Sequence, residues 1–219
     1  MNKQGLIHQI NKGLRVWLFS AGAQVQQTDF SCLAEGRKSV QELMRILKSL
    51  EKKSFLEDQY FLPSLSLHAP FLVSSVQADK LVVKDLSDRL NKCLENYMLP
   101  GTDAYFSKTG NCIQALFMDL VSYLLSYMNR QESLFNGLST QMYEGGFNKL
   151  MAIAEEHAME FSFWIMKGMN NREISEWLES GSEGSVAWKR KILGSLSPDR
   201  LSAVGIDFER RATRGFAAA

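Results

Sequence analysis

Apolar residues recur along this chain at spacings of three and four, which is the period of an amphipathic α-helix. The first such face lies within residues 3–26 and is formed by Ile7, Ile10, Leu14, Trp17, Leu18, Ala21 and Val25. A second face runs from Leu33 to Leu50, after N-cap candidates in residues 28–31. Its helical register continues through Glu57 until Pro63 is expected to disturb it.

Later breaks divide the rest of the chain. Residues 68–70, His-Ala-Pro, predict a corner with Pro70 in the first turn of a third helix. Residues 99–103 mark the clearest break, before a fourth helix. Further helices are predicted at about 147–168, 172–180, 185–194 and 199–211, the last starting at Ser197-Pro198-Asp199. No stretch alternates apolar and polar residues, so the pattern predicts an all-α protein.

Four long amphipathic helices joined by modest loops predict a four-helix bundle. We assign it to residues 1–138 and expect residues 139–211 to form a C-terminal helical extension packed on the bundle. Residues 212–219 follow the last apolar anchor and are expected to be a disordered tail.

Composition and charge exclude several classes. Of 219 residues, 45% are hydrophobic and 22% charged, and the net charge of +1 comes from interspersed residues. This balance predicts neither nucleic-acid nor membrane-surface binding. The sequence shows no signal peptide and no membrane-spanning apolar run, so a cytoplasmic protein is expected. Cys32, Cys93 and Cys112 are far apart, odd in number and form no CxxC pair, which predicts buried or idle thiols in a reducing compartment.

Several short sequence motifs follow one another along the chain. In chain order they are Asn11–Arg15, Lys53–Asp58, Phe61–Pro63, Ala78–Leu81, Tyr127–Glu132, 164–173 and 196–200. Together they resemble the hemerythrin-like, HHE-type cation-binding family along nearly the whole chain. The resemblance implies an up-down four-helix bundle. It also implies a dinuclear metal site whose histidines and carboxylates project inward from the four helices.

The presumed metal-site positions depart from that family. They are Asn11, Lys53, Leu56, Glu57, Asp79, Tyr127 and Gln131. Five of them replace histidine, Gln131 replaces an acid, and Glu57 retains the carboxylate. Leucine cannot ligate a metal, and a lysine ammonium group would repel a dication. We therefore expect the dinuclear site to be lost and no cofactor to be bound.

One hypothesis is that a network of polar side chains occupies the position of the lost dinuclear metal site. Lys53 and Glu57 are spaced i, i+4 and can pair along a helix face, while Asp79, Asn11, Tyr127 and Gln131 could complete the cluster. The alternative is that Lys53 and Glu57 lie on an ordinary solvated face.

Three functions remain open at this point. The first is a non-catalytic interaction, sensory or small-ligand module with a protein or small-molecule partner. The second is a residual iron or other metal protein related to O₂, NO or iron handling, with Glu57, Asp79, Glu132 and His8 as donors. The third is an enzyme using Glu57 as general base and Tyr127 or Lys53 as acid. No nucleotide-binding, zinc-protease or nucleophile-elbow motif occurs in the sequence, which favours a protein that is not an enzyme. The oligomeric state is left open.

Overall fold

The computed structural model describes residues 5–137, 168–180, 193–194 and 196–205. Within these ranges the regular structure is helical and contains no β-strand, which confirms the predicted all-α class. Contacts group the chain into two compact units. Unit 2 is Leu18–Leu150, and unit 1 combines Met1–Trp17 with Met151–Ala219.

The predicted domains, 1–138, 139–211 and 212–219, stay a prediction, because residues 138–167 and 206–219 lie outside the described ranges.

The four long helices occur in the predicted order, and one short helix that was not predicted lies between the second and the third of them. The helices are α1 (Gly5–Gln27), α2 (Leu33–Leu56), α3 (Leu62–His68), α4 (Pro70–Tyr97), α5 (Asp103–Gly137) and α6 (Asn171–Ser180). A π-helical segment, Glu57–Phe61, joins α2 to α3. Residues 198–205 are also helical. No helix in the described ranges combines the length and apolar character needed to cross a membrane.

The start of α2 differs from the prediction. Its N-cap is Cys32, which makes no side-chain capping hydrogen bond. Asp29 instead accepts hydrogen bonds from the backbone amide (2.9 Å) and hydroxyl (2.6 Å) of Ser31. Thr28 donates its hydroxyl to the carbonyl of Gln24 at 2.8 Å. These polar residues therefore stabilise the turn and the end of α1 rather than the first turn of α2.

Pro63 interrupts the helical path less than expected. The chain passes through the π-helical segment and then places Pro63 in the first turn of α3. Proline has no amide hydrogen to donate, and the change from α-helical to π-helical hydrogen bonding occurs in the segment just before it, without ending the helical path. The predicted corner is confirmed, because α4 begins at Pro70 with Ala69 as its N-cap.

The core of unit 2 is built from α1, α2, α4 and α5. Its fully buried apolar side chains include Leu18, Val40, Ile46, Leu90, Leu94, Ile113, Phe117, Leu120 and Met128. Tyr97 is also fully buried, and its hydroxyl donates to the carbonyl of Phe30 at 2.7 Å. A Cβ atom at Gly36 would overlap this phenol group. Glycine at position 36 therefore lets α2 approach Tyr97 on α4 closely.

Unit 1 has its own capped helix. Asn170 Oδ1 accepts from the amide of Glu173 at 2.9 Å, and Glu173 Oε2 accepts from the amide of Asn170 at 2.7 Å. This reciprocal pattern is a capping box at the start of α6. Glu173 also forms an ion pair with Lys12 at 2.8 Å. The predicted helix at 172–180 is confirmed, and the one predicted at 199–211 is seen as far as residue 205.

The predicted helices at about 147–168 and 185–194 lie almost entirely outside the described ranges.

Candidate functional site

Lys53 and Glu57 form an ion pair where α2 meets the π-helical segment. Their side chains are only 12% and 13% exposed. The i, i+4 spacing seen in the sequence places both side chains on one side of the continuous helix formed by α2 and the π-helical segment, and that side faces the interior of unit 2. The pair therefore does not lie on a solvated helix face.

Helix α5 supplies the other partners of this pair. Tyr127 donates its hydroxyl to Glu57 Oε2 at 2.9 Å. Gln131 Nε2 donates to Glu57 Oε1 and to the Tyr127 hydroxyl, both at 2.8 Å. Gln131 Oε1 accepts from the Lys53 ammonium group at 3.1 Å. We call these four residues, Lys53, Glu57, Tyr127 and Gln131, the Glu57 network.

In the Glu57 network, each hydrogen-bond donor is matched with an acceptor. The Tyr127 hydroxyl donates to the carboxylate and accepts from the amide, while the Gln131 carbonyl faces the cation. Tyr127 and Gln131 are buried, and the Lys53 ammonium group lies 5.4 Å from the centre of the Tyr127 ring. A fully paired network of this kind avoids the cost of an unsatisfied buried polar group.

The protonation states of the Glu57 network follow from these contacts. Burial by itself would raise the pKa of Glu57. The positive charge of Lys53 and the hydrogen bonds from Gln131, Lys53 and Tyr127 outweigh it, so the pKa of Glu57 lies below its usual value. Burial, followed by the charge of Glu57 and the hydrogen bond to it, raises the pKa of Tyr127 far above its usual value. Glu57 is thus held ionised and Tyr127 protonated.

A second set of hydrogen bonds surrounds Asp79 on α4. Arg130 binds its carboxylate through two nitrogens, Nε at 2.9 Å and Nη2 at 2.7 Å. The hydroxyl of Tyr123 donates to the same carboxylate at 2.7 Å. Burial and the hydrogen bond to Asp79 raise the pKa of Tyr123. Tyr123 precedes Tyr127 by one turn, so α5 presents a tyrosine to each of the two carboxylates.

Lys80 links α4 to the end of α2. Its ammonium group forms an ion pair with Asp58 and donates to the carbonyl of Ser54 at 2.8 Å. Ser54 is in the last turn of α2, just before the π-helical hydrogen-bond register begins. The consecutive residues Asp79 and Lys80 therefore face two different partners, one on α5 and one beside Glu57.

The remaining predicted site residues are Asn11, Leu56, Glu132 and His8. Asn11 belongs to unit 1 and is fully buried, and neither polar atom of its side chain has a hydrogen-bond partner among the described residues. Leu56 is the last residue of α2, and its side chain lies outside the description. Glu132 follows Gln131 on α5 and is half-buried. His8 is exposed and belongs to unit 1.

These residues do not fit a dinuclear metal centre. The carboxylate of Glu57 is neutralised by Lys53, and that of Asp79 by Arg130. A dication next to Glu57 would meet the ammonium group of Lys53 at close range and be repelled. In the part of the chain that the structure describes, no group of three or more histidine, cysteine, aspartate or glutamate residues is arranged to hold a metal ion.

Sequence reasoning missed Tyr123, Arg130, Lys80 and Asp58. One signal was available on α5, where Tyr123, Tyr127 and Gln131 follow each other at i, i+4 and so share one face. The pairing of Arg130 with Asp79 joins residues 51 positions apart and depends on the register between α4 and α5.

The described residues define an all-α protein in which the carboxylates of Glu57 and Asp79 are each paired with a basic side chain. Comparisons with known protein families, with curated proteins and with solved structures found no match for this chain.

Proposed function

We propose that this chain is a hemerythrin-like up-down four-helix bundle in which the Glu57 network takes the place of a dinuclear metal centre. In this proposal it acts as a non-catalytic module that binds a protein or small-molecule partner. The proposal rests on the hydrogen bonds that the Glu57 carboxylate accepts from other side chains. Oε1 accepts from Lys53 and Gln131, and Oε2 accepts from Tyr127.

The balance of charge within the Glu57 network supports the proposal that the network replaces a metal centre. Lys53 brings a fixed positive charge to the carboxylate that the family resemblance assigns to the metals. Tyr127 and Gln131 stand where that resemblance expects a histidine and an acid, and both are neutral. The four residues together carry no net charge, so the network is balanced without a bound cation.

The protonation states support a non-catalytic role. A general base or acid works best when its pKa lies near the working pH. The pKa of Glu57 is displaced downward, with burial opposing this shift and Lys53 prevailing, and that of Tyr127 is displaced upward, chiefly by burial. Both displacements move away from neutral pH. Each group is therefore a poor agent of proton transfer.

Iron loading of the full chain tests the proposal. The protein is incubated with ferrous iron without oxygen and desalted, its iron is measured, and its absorption spectrum is recorded after exposure to air. We expect iron well below one atom per chain and no oxo-iron band. Two variants make the result specific: Glu57→Ala in the network and Asp88→Ala on the surface of α4, where the aspartate side chain is 64% exposed.

Stoichiometric iron that is lost in Glu57→Ala and kept in Asp88→Ala would overturn the proposal. That outcome would establish the residual metal protein, for which Asp79, Glu132 and His8 are the further donors to test. If both variants still bind iron, the metal site lies away from the Glu57 network. That result would be consistent with a Glu57 network that binds no metal.

A further inference from the structure

Two cysteines on neighbouring helices bring their thiols together. Sγ of Cys93 on α4 lies 3.0 Å from Sγ of Cys112 on α5, and both thiols are free. We propose that this pair is a redox-responsive modification site, in which a peroxide oxidises the two thiols to a disulfide that clamps α4 to α5. The sequence predicted only idle thiols, because 19 residues separate the two positions.

The backbone on both sides of the pair is anchored. Leu94 follows Cys93 and Ile113 follows Cys112, and both side chains are fully buried. One turn beyond Cys93, the ring of Tyr97 packs on that of Phe106 with centroids 5.2 Å apart. The thiols are therefore held together by packed helices and not by a loop. A disulfide bond is about 2 Å long, so the sulfur atoms need to approach by only about 1 Å.

The two thiols differ in access to solvent. Cys112 is exposed, whereas Cys93 is half-buried. Burial and the hydrogen bond with Cys112 raise the pKa of Cys93 to about 11, although Arg89 and Lys92 act in the opposite direction. Because peroxide reaches the exposed Cys112 more readily than the half-buried Cys93, Cys112 reacts first and Cys93 resolves the intermediate.

The chemistry balances with hydrogen peroxide as the oxidant. The Cys112 thiolate attacks one peroxide oxygen and the O–O bond breaks, giving a sulfenic acid and a hydroxide ion that takes up a proton. The Cys93 sulfur then attacks the sulfenic sulfur, the S–O bond breaks, and the departing hydroxide takes up the proton that the Cys93 thiol releases, giving water. In total, two thiols and one peroxide give one disulfide and two waters. The sulfurs lose two electrons, and the peroxide gains them.

The test uses the full chain, reduced and then treated with dilute hydrogen peroxide. Remaining thiols are blocked with an alkylating reagent, and the intact mass and the proteolytic peptides are measured. We expect the mass before alkylation to fall by two hydrogen atoms, and two of the three cysteines to escape alkylation. The peptides carrying Cys93 and Cys112 should be joined, and dithiothreitol should separate them.

Matched variants make the outcome specific. Cys32→Ser should form the same disulfide, because Cys32 lies at the start of α2 and has no part in the pair. In Cys112→Ser, Cys93 should stay open to alkylation after peroxide treatment once the protein is denatured. A disulfide that contains Cys32, one that joins two chains, or a Cys112 that oxidises beyond sulfenic acid while Cys93 stays free would each overturn the proposal. So would full alkylation of all three cysteines after a peroxide dose that oxidises a model dithiol.

Discussion

The hydroxyl group of Tyr127 donates a hydrogen bond to Oε2 of Glu57 at 2.9 Å, across 70 positions of the chain. This contact joins α5 to the junction of α2 and the π-helical segment. Lys53 and Gln131 bind the other carboxylate oxygen, so the ionised glutamate is surrounded by donors. The stability of this part of unit 2 should consequently depend on keeping the charges of Lys53 and Glu57 together.

Removing one member of the buried pair should cost more than removing both. Glu57→Ala leaves the Lys53 ammonium group inside unit 2 without its carboxylate, and we expect it to lower the free energy of unfolding by about 3 kcal/mol. The double variant Lys53→Met with Glu57→Leu removes both charges and fills the space with apolar groups. It should lose less than Glu57→Ala does. Urea denaturation followed by circular dichroism measures both.

The exposed pair Lys84–Asp88 on α4 is the control. It has the same i, i+4 spacing, but its side chains are 70% and 64% exposed. Asp88→Ala should change the free energy of unfolding by less than about 0.5 kcal/mol. Equal losses in Asp88→Ala and Glu57→Ala would show that burial of the Glu57 pair adds nothing.

Acid should remove the contribution of Glu57. Burial opposes ionisation, but Lys53 and the hydrogen bonds lower the pKa of Glu57 in the folded protein, so the unfolded chain binds a proton more readily. The stabilisation is therefore complete above the ordinary glutamate pKa of about 4.3 and is lost as the pH falls below it. The stability difference between the natural protein and Glu57→Gln should be constant at neutral pH and shrink as the pH is lowered through and below the ordinary glutamate pKa of about 4.3. A difference that stays constant as the pH is lowered in this way would contradict the lowered pKa.

Gly36 should not tolerate a methyl group. Gly36→Ala places a Cβ atom onto the buried phenol of Tyr97, and we expect a loss of about 1–3 kcal/mol despite the better helix propensity of alanine. Gly22→Ala on α1 is the matched change, because its Cβ would only touch Phe117 at 3.9 Å. It should be neutral or stabilising by up to about 1 kcal/mol. Thermal unfolding of both variants measures the two effects, and an equal or greater stability of Gly36→Ala would contradict the close approach of α2 to Tyr97.

Asn11 should tolerate an apolar replacement. Its side chain is fully buried, and among the described residues neither polar atom finds a partner. Asn11→Leu keeps the branching at Cγ and removes the unsatisfied amide, so we expect a gain of about 1 kcal/mol. Asn11→Asp places a charge at the same position and should destabilise strongly. A clear loss of stability in Asn11→Leu would reveal a polar partner for the amide.

The local parts of this structure could be predicted from the sequence, and the long-range parts could not. The Lys53–Glu57 pair follows from i, i+4 spacing, and the start of α4 at Pro70 follows from the fixed backbone of proline. The N-cap of α2 was wrong because Thr28 uses its hydroxyl on Gln24 and lies 2.6 Å from the hydroxyl of Ser39. The Thr28 hydroxyl makes these contacts instead of capping α2, because Gln24 at the end of α1 lies against Ser39 on α2. A local sequence pattern cannot predict such a contact between helices.

The long-range contacts of α5 also could not be predicted from the sequence. The resemblance placed Tyr127 and Gln131 at the site, but only the packing of α5 reveals that both bind Glu57. Arg130 could have paired with any nearby acid. Its bond to Asp79 depends on where α4 stops relative to α5, and that position depends on the break at residues 99–103.

The ion pair between Lys12 and Glu173 joins residues 161 positions apart. During synthesis the ribosome releases Lys12 early, while Glu173 emerges only after all of Leu18–Leu150 has been made. Every member of the Glu57 network is present once residue 131 has left the exit tunnel. Unit 2 can therefore begin to fold on the nascent chain, whereas the contact between Lys12 and the cap of α6 has to wait until Glu173 has been made.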